Sequence, residues 1–179
     1  IRLEPRSRVV IIGNTLAERM QYYGYWESLL HQRFPQHELY VRNLGWSADE
    51  VALRPRSQNF AEHGHTLADH KPDLLIAMFG FNESFGGVAG LKRFEQDLDT
   101  WLREVTTTKY NGRQPPTVIL CSPIAHENLR NRSLPDGRLT NENLRLYVPV
   151  MRALAERHAV RFIDLFEPSL RGMTEARQP

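Results

Sequence analysis

Four short stretches of the sequence combine glycine, hydroxyl, carboxamide and imidazole groups. They are Gly13-Asn14-Thr15-Leu16, Asn43-Leu44-Gly45-Trp46-Ser47, Gly80-Phe81-Asn82-Glu83-Ser84 and Ser122-Pro123-Ile124-Ala125-His126-Glu127. Thr15 carries a hydroxyl that can attack an electrophilic carbon once a base takes its proton. Its extra methyl crowds that path and stiffens χ1. Asn14 and Asn82 bring carboxamides, and Glu83 a carboxyl. His126 is the one histidine placed in a block that follows a strand-like run. Trp46, Phe81 and Phe85 are flat apolar groups of the kind that stack on sugar faces, whereas Phe79, inside an apolar run, reads as core. Any one block is an ordinary polar turn. Four of them behind four successive apolar runs form a pattern.

Those runs supply the framework. Val9-Val10-Ile11-Ile12 is β-branched and apolar throughout, which reads as a strand of about residues 8–12 buried on both faces. Met20, Tyr23, Trp26, Leu29, Leu30 and Phe34 recur at steps of three and four, predicting one helix over about 18–33, closed by Pro35. Residues 38–44 alternate and read as strand two. A turn at Gly45-Trp46-Ser47 precedes a short helix near Asp49, capped by Ser47 or Asp49. The span 54–70 reads as loop and irregular helix. Residues 73–79 give strand three, followed by a loop punctuated by Gly86, Gly87 and Gly90. Leu91, Phe94, Leu98, Trp101, Leu102 and Val105 give an amphipathic helix. Strand four is 117–121. After a loop at 130–140 comes a helix of about 142–158, with Leu146, Val150, Leu154 and Ala155 inward and a kink or a start at Pro149. Strand five is 160–166. The tail from Gly172 shows no apolar periodicity.

Alternating strands and helices imply a parallel sheet with helices on both faces. The expected fold is therefore α/β, a three-layer α/β/α sandwich around a flavodoxin-like five-stranded parallel sheet in the order 2-1-3-4-5. Ligands of such sheets sit outside the carboxyl ends of the strands. All four blocks lie there, with Asn14 and Thr15 foremost.

Composition narrows the function classes. The 179 residues are 41% apolar and 25% charged, with a formal charge of +2, so one soluble globular domain is expected. That charge is too small to argue for nucleic acid, and no apolar run reaches membrane-spanning length. The single cysteine, Cys121, rules out an internal disulfide and reads as a buried thiol. The histidines of His63-x-His65 and His70 lack a matching carboxylate set, so no metal and no cofactor is expected. Arg54 and Arg56 read as solvated loop residues able to meet an anion. The first residue is Ile1, and the tail has no clear terminator; the expectation is a single domain that is a piece of a longer protein, processed or trimmed at both ends.

From Arg8 to Phe166 the chain resembles the SGNH hydrolases, the GDSL family of lipases, esterases and acetylhydrolases. The resemblance rests on Gly13-Asn14-Thr15-Leu16 in place of Gly-Asp-Ser-Leu, on Gly45, on Gly80-Phe81-Asn82-Glu83 in place of Gly-x-Asn-Asp, on Ser122-Pro123 and on Ile163-Asp164-Leu165-Phe166. It implies Thr15 at the nucleophile position, with the Gly45 N–H and the Asn82 side chain as oxyanion donors. Gly-Asn-Thr-Leu, Arg-Asn-Leu-Gly-Trp-Ser and Phe-Asn-Glu-Ser are similar to a branch in large planctomycete-type multidomain proteins, where such a domain accompanies haem-binding modules. The resemblance also points to an extracytoplasmic location, periplasmic or secreted.

Two departures matter. Threonine replaces the nucleophilic serine. The family's last block, Asp-x-x-His, is absent: none of the seven histidines has an aspartate three positions earlier. A neutral hydroxyl without a base is a poor nucleophile at neutral pH. One reading is thus a carbohydrate or small acyl ester hydrolase whose base lies beyond Pro179. The other is a degenerate domain that binds or docks without turnover, with Thr15 capping a helix and Gly45, Asn82 and His126 as turn or solvated residues. A flavodoxin-type FMN site is a third reading, but apolar Val9 to Ile12 stand where its phosphate loop needs donors.

Overall fold

The computed structural model describes residues 2–55 and 64–176. Its sheet has five parallel strands in the order β2-β1-β3-β4-β5: β1 Arg8–Gly13, β2 Tyr40–Asn43, β3 Leu74–Met78, β4 Thr117–Cys121 and β5 Arg161–Ile163. The helices are α1 Thr15–Tyr23, α2 Tyr25–Arg33, α3 Leu67–His70, α4 Gly87–Thr107, α5 Arg138–Arg157 and α6 Phe166–Glu175. The expected α/β fold and strand order are both present.

Strand alternation sends the apolar run of β1 into two cores. Val10 and Ile12 join Leu75, Ala77 and the inner residues of α4 and α5 on one face. Val9 and Ile11 join Leu74, Ile76 and Ala17 of α1 on the other. This second face is incompletely covered. An open apolar groove of about 420 Å³ runs between Trp26, Leu30 and Phe34 and the strand residues Ile76, Ile119 and Ile163.

Several local expectations are corrected. The helix expected over 18–33 is two helices, because Gly24 (φ 59°) adopts the left-handed conformation that closes α1 and opens α2. There is no helix at Asp49; residues 47–48 form a turn, with Ala48 at φ 68°. Gly87 and Gly90 lie inside α4 instead of a preceding loop. The reason is packing: a Cβ on Gly90 would sit 2.6 Å from the Tyr147 hydroxyl of α5. Helix α5 runs through Pro149 from Arg138, so it does not begin there, and Leu146 is exposed while Leu144, Tyr147, Val148 and Met151 are buried. Strand β5 stops at Ile163, and α6 begins at Phe166, expected in the strand, and runs to Glu175, into the stretch read as tail. The first amides of α6 are met by two side chains: Asp164 Oδ1 accepts the N–H groups of Phe166 (3.0 Å) and Glu167 (3.3 Å), and Ser122 Oγ those of Leu165 (2.8 Å) and Phe166 (3.1 Å).

Candidate active site

The carboxyl ends of β1, β2 and β3 are laced together by backbone bonds. The Asn14 N–H donates to the Met78 carbonyl (3.0 Å), and the Trp46 N–H to the Gly13 carbonyl (2.9 Å). Only glycine fits position 13: φ is 147°, and a Cβ would lie 2.2 Å from the Met78 oxygen. The blocks after strands one, two and three therefore meet at one edge, as the sequence pattern requires.

Thr15 is the first residue of α1 and is half-buried. The cap of that helix is Asn14, whose Oδ1 accepts the Leu16 N–H at 3.4 Å. Thr15 is thus spared the capping role. Its hydroxyl makes no hydrogen bond within the described residues, and its backbone N–H stands among the unpaired amides of a helix N-terminus. Partial positive charge there favours an anion. Asn14 is 3% exposed, and its Nδ2 is buried without a partner.

Gly45 lies hard against α1: a Cβ would sit 2.6 Å from both Ala17 Cβ and Glu18 N. Its N–H donates to Asn43 Oδ1 (2.8 Å), while Asn43 Nδ2 donates to the Ala17 carbonyl (2.7 Å). Asn43 was not singled out from the sequence, although an asparagine two residues before a glycine is an Asx-turn signal. Gln21 donates to the Gly45 carbonyl, and the Ser47 hydroxyl hydrogen-bonds to the Glu18 carboxylate. Trp46 is half-exposed beside this loop.

Asn82 opens a 3-10 turn over Glu83–Gly86, and its side chain makes no hydrogen bond with the described residues. Ser84 braces the turn by donating to the Phe81 carbonyl at 2.6 Å. The Glu83 carboxylate accepts two backbone N–H groups, from Val51 to Oε1 and from Gly80 to Oε2, each at 2.9 Å. Burial pushes its pKa up to about 7, with the Glu50 charge adding and the amide bonds opposing. Phe81 meets Phe85 edge-on at 5.4 Å. Phe79 is fully buried, as expected of a core residue, and Phe85 is exposed.

His126 stands 6.5 Å from the Phe81 ring, centroid to centroid. Its Nδ1 meets Thr140 Oγ1 at 3.3 Å, and Asn141 of α5 clamps its backbone N–H and C=O (2.8 and 2.9 Å). It makes no hydrogen bond to Thr15. Arg54, expected in a solvated loop, is instead buried, with Nε 4.0 Å from Asp49 Oδ2 and its guanidinium over the Phe79 ring at 4.7 Å. Arg56 and His63 lie outside the described residues. His70 is buried, with Nε2 against the Gly64 carbonyl at 2.8 Å. Among the described residues no three His, Cys, Asp or Glu side chains gather as a metal site.

The sequence profile of the GDSL-like lipase/acylhydrolase family matches residues 12–178. The chain belongs to that family. No protein of curated function matches it. Among solved structures, a gut microbial diltiazem-metabolizing enzyme superposes with a TM-score of 0.75 at 17% identity. The match covers 99% of this chain but only 40% of that one. An acetylxylan esterase from Geobacillus stearothermophilus gives 0.69 at 19% identity, over 97% of this chain and 83% of that one. A carbohydrate acetylesterase family member from Sinorhizobium meliloti gives 0.61 at 19%, over 88% and 82%. At these identities the likeness is one of fold. Among the described residues, no helix of this GDSL-like domain is long and apolar enough to cross a membrane.

Proposed function

We propose that this GDSL-like domain cleaves small acyl esters, with acetyl groups on carbohydrate as the substrate class. The reading rests on one observation: among the described residues, Thr15 Oγ1 and the Asn82 carboxamide make no hydrogen bond, and both stand at the strand edge. Both residues are half-buried, and neither side chain has to break a bond with a described residue before it meets a substrate. Thr15 Oγ1 attacks the acyl carbon and passes its proton to a base. The carbonyl oxygen becomes an oxyanion, which accepts hydrogen bonds from Asn82 Nδ2 and the Thr15 N–H at the α1 terminus. The Gly45 N–H joins them only by sharing itself with Asn43 Oδ1. The ester C–O bond then breaks, the alcohol leaves with the proton, and water releases the acyl group by the same route. Asn14, uncharged, leaves the oxyanion unopposed. Trp46, Phe81 and Phe85 offer flat faces to a sugar.

The base is assigned, by family resemblance, to an Asp-x-x-His block outside residues 1–179, in a longer protein. A catalytic mutant of the Geobacillus esterase is a histidine-to-alanine replacement, which accords with a histidine base in that relative. Aryl acetate hydrolysis by the intact natural protein tests the reading. Thr15→Ala should abolish it, and Asn82→Ala should slow it by about 10²-fold. Hydrolysis indifferent to both changes refutes the assignment. The absence of any Asp-x-x-His histidine in these 179 residues favours a second reading, a binding domain without turnover. Acetylated oligosaccharide that binds by calorimetry yet stays intact selects it.

A further inference from the structure

Glu83 is an ionisable side chain of this edge for which the reaction above has no use. Its carboxylate sits where two loops meet. Oε1 takes the Val51 N–H from the loop after β2, and Oε2 takes the Gly80 N–H from the loop after β3. Gly80, at φ 101° and with Met151 Sδ 2.9 Å from the position of a Cβ, has its backbone course fixed from the other side by α5. Asn82 lies between the two anchors, one residue before Glu83 and two after Gly80. Its own side chain has no partner among the described residues to hold it. The position of the Asn82 carboxamide is therefore decided by the backbone that the carboxylate pins.

We propose that Glu83 is a positioning residue: by accepting from Val51 and Gly80 at once, its carboxylate ties the β2 loop to the β3 loop and sets the Asn82 amide for the oxyanion. The proposal rests on the reading of Asn82 as an oxyanion donor. Protonation turns one oxygen into a hydroxyl, a poor acceptor, so one of the two ties weakens. The charged groups around it are Glu50, whose negative charge opposes ionisation, and the Tyr147 phenol of α5, whose own ionisation is disfavoured by burial and by Glu83 and Glu50. The Asp49–Arg54 pair belongs to the same β2 loop.

The test is a pH titration of the intact protein by amide NMR, with an aryl acetate rate profile alongside. The Val51 and Gly80 backbone amides and the Asn82 side-chain NH2 should shift together with one midpoint near neutrality, and Glu83→Gln should remove that common transition. Three unrelated midpoints, or an Asn82 NH2 that ignores the transition, would overturn the proposal. In the rate profile, Glu83→Gln should lower kcat by about 10²-fold with KM little changed, as a displaced oxyanion donor does, and Glu83→Asp should restore part of it. A Glu83→Gln enzyme with unchanged kcat overturns the proposal as well. A wild type without esterase activity refutes the hydrolase reading alone, since the linked titration of Asn82 is read without substrate. Because the decisive titration uses wild-type protein, a variant that fails to fold does not block it.

Discussion

Gly90→Ala should destabilise the protein although alanine is the better helix former. Gly90 lies inside α4, where an alanine would ordinarily gain about 1 kcal/mol from propensity. Here the new Cβ would stand 2.6 Å from the Tyr147 hydroxyl, well inside contact distance. Tyr147 is fully buried and donates to the Gly87 carbonyl at 2.9 Å, so its ring has little room to retreat. Overpacking of this kind costs about 1–3 kcal/mol, and a broken hydroxyl bond about 1 kcal/mol more. Set against the propensity gain, the net loss is about 1–3 kcal/mol. Removing the hydroxyl should reverse the sign. In a Tyr147→Phe background the nearest ring atom, Tyr147 Cζ, is 4.0 Å from the added carbon, an ordinary contact. There Gly90→Ala should stabilise by up to about 1 kcal/mol. Urea unfolding of the four proteins of this cycle measures the coupling, which should reach about 2–4 kcal/mol, far above what separated sites show. Equal effects of Gly90→Ala in the two backgrounds would refute the packing argument and leave the glycine in α4 unexplained.

Other expectations concern the site and the groove. Thr15→Ser removes the methyl that crowds the hydroxyl and should raise the aryl acetate rate; a fall would show that the site is built around threonine. Glu83 is raised from 4.5 to about 7 in the fold. Its stabilising contribution is thus fully present below about pH 4.5 and is lost as pH rises through 7, by up to about 3 kcal/mol. Unfolding curves taken between pH 4.5 and 7.5 should show that loss, and Glu83→Gln should flatten it; an unchanged slope in the variant would sink the attribution. Cys121 lies in the floor of the apolar groove, 4% exposed, and burial pushes its thiol up to about 12. Folded protein at pH 8 should therefore react slowly with a thiol reagent and rapidly in urea. Equal rates in both conditions would mean that the groove is more open than its geometry allows.

The fold was legible because its main signals are local and redundant. The β-branched run of β1, the aliphatic β3 and the period of α4 each name an element without reference to any other. The misreadings occurred where a distant contact decides. Gly90 reads as a loop residue until the Tyr147 hydroxyl of α5 is seen to need the space. Gly24 falls in an unbroken apolar period, so only its left-handed backbone shows that one helix is two. Pro149 reads as a kink or a start, and the start is excluded only once α5 is seen to be held by buried side chains on either side of it. Phe166 continues the apolar pattern of β5, yet its N–H is taken by the side chains of Asp164 and Ser122 where α6 begins.

The site divides in the same way. The residue types were legible, since Asn14, Thr15, Gly45 and Asn82 stand directly behind strands. What each is free to do was not, because that depends on who else satisfies it. Asn14 takes the capping bond, which leaves the Thr15 hydroxyl without a hydrogen bond among the described residues. Asn43 takes the Gly45 N–H, whereas the Asn82 carboxamide and the Thr15 amide meet no competing acceptor among the described residues. Glu83 was legible as a candidate binding carboxyl behind strand three, but not that its two carboxylate oxygens join loops that lie 29 positions apart at Val51 and Gly80. Burying that charge works against stability above neutral pH, by the sign of its shifted pKa. A fold indifferent to the site would do better with a neutral side chain there. What the carboxylate supplies against that cost is its pair of backbone bonds, which hold the Val51 and Gly80 loops together.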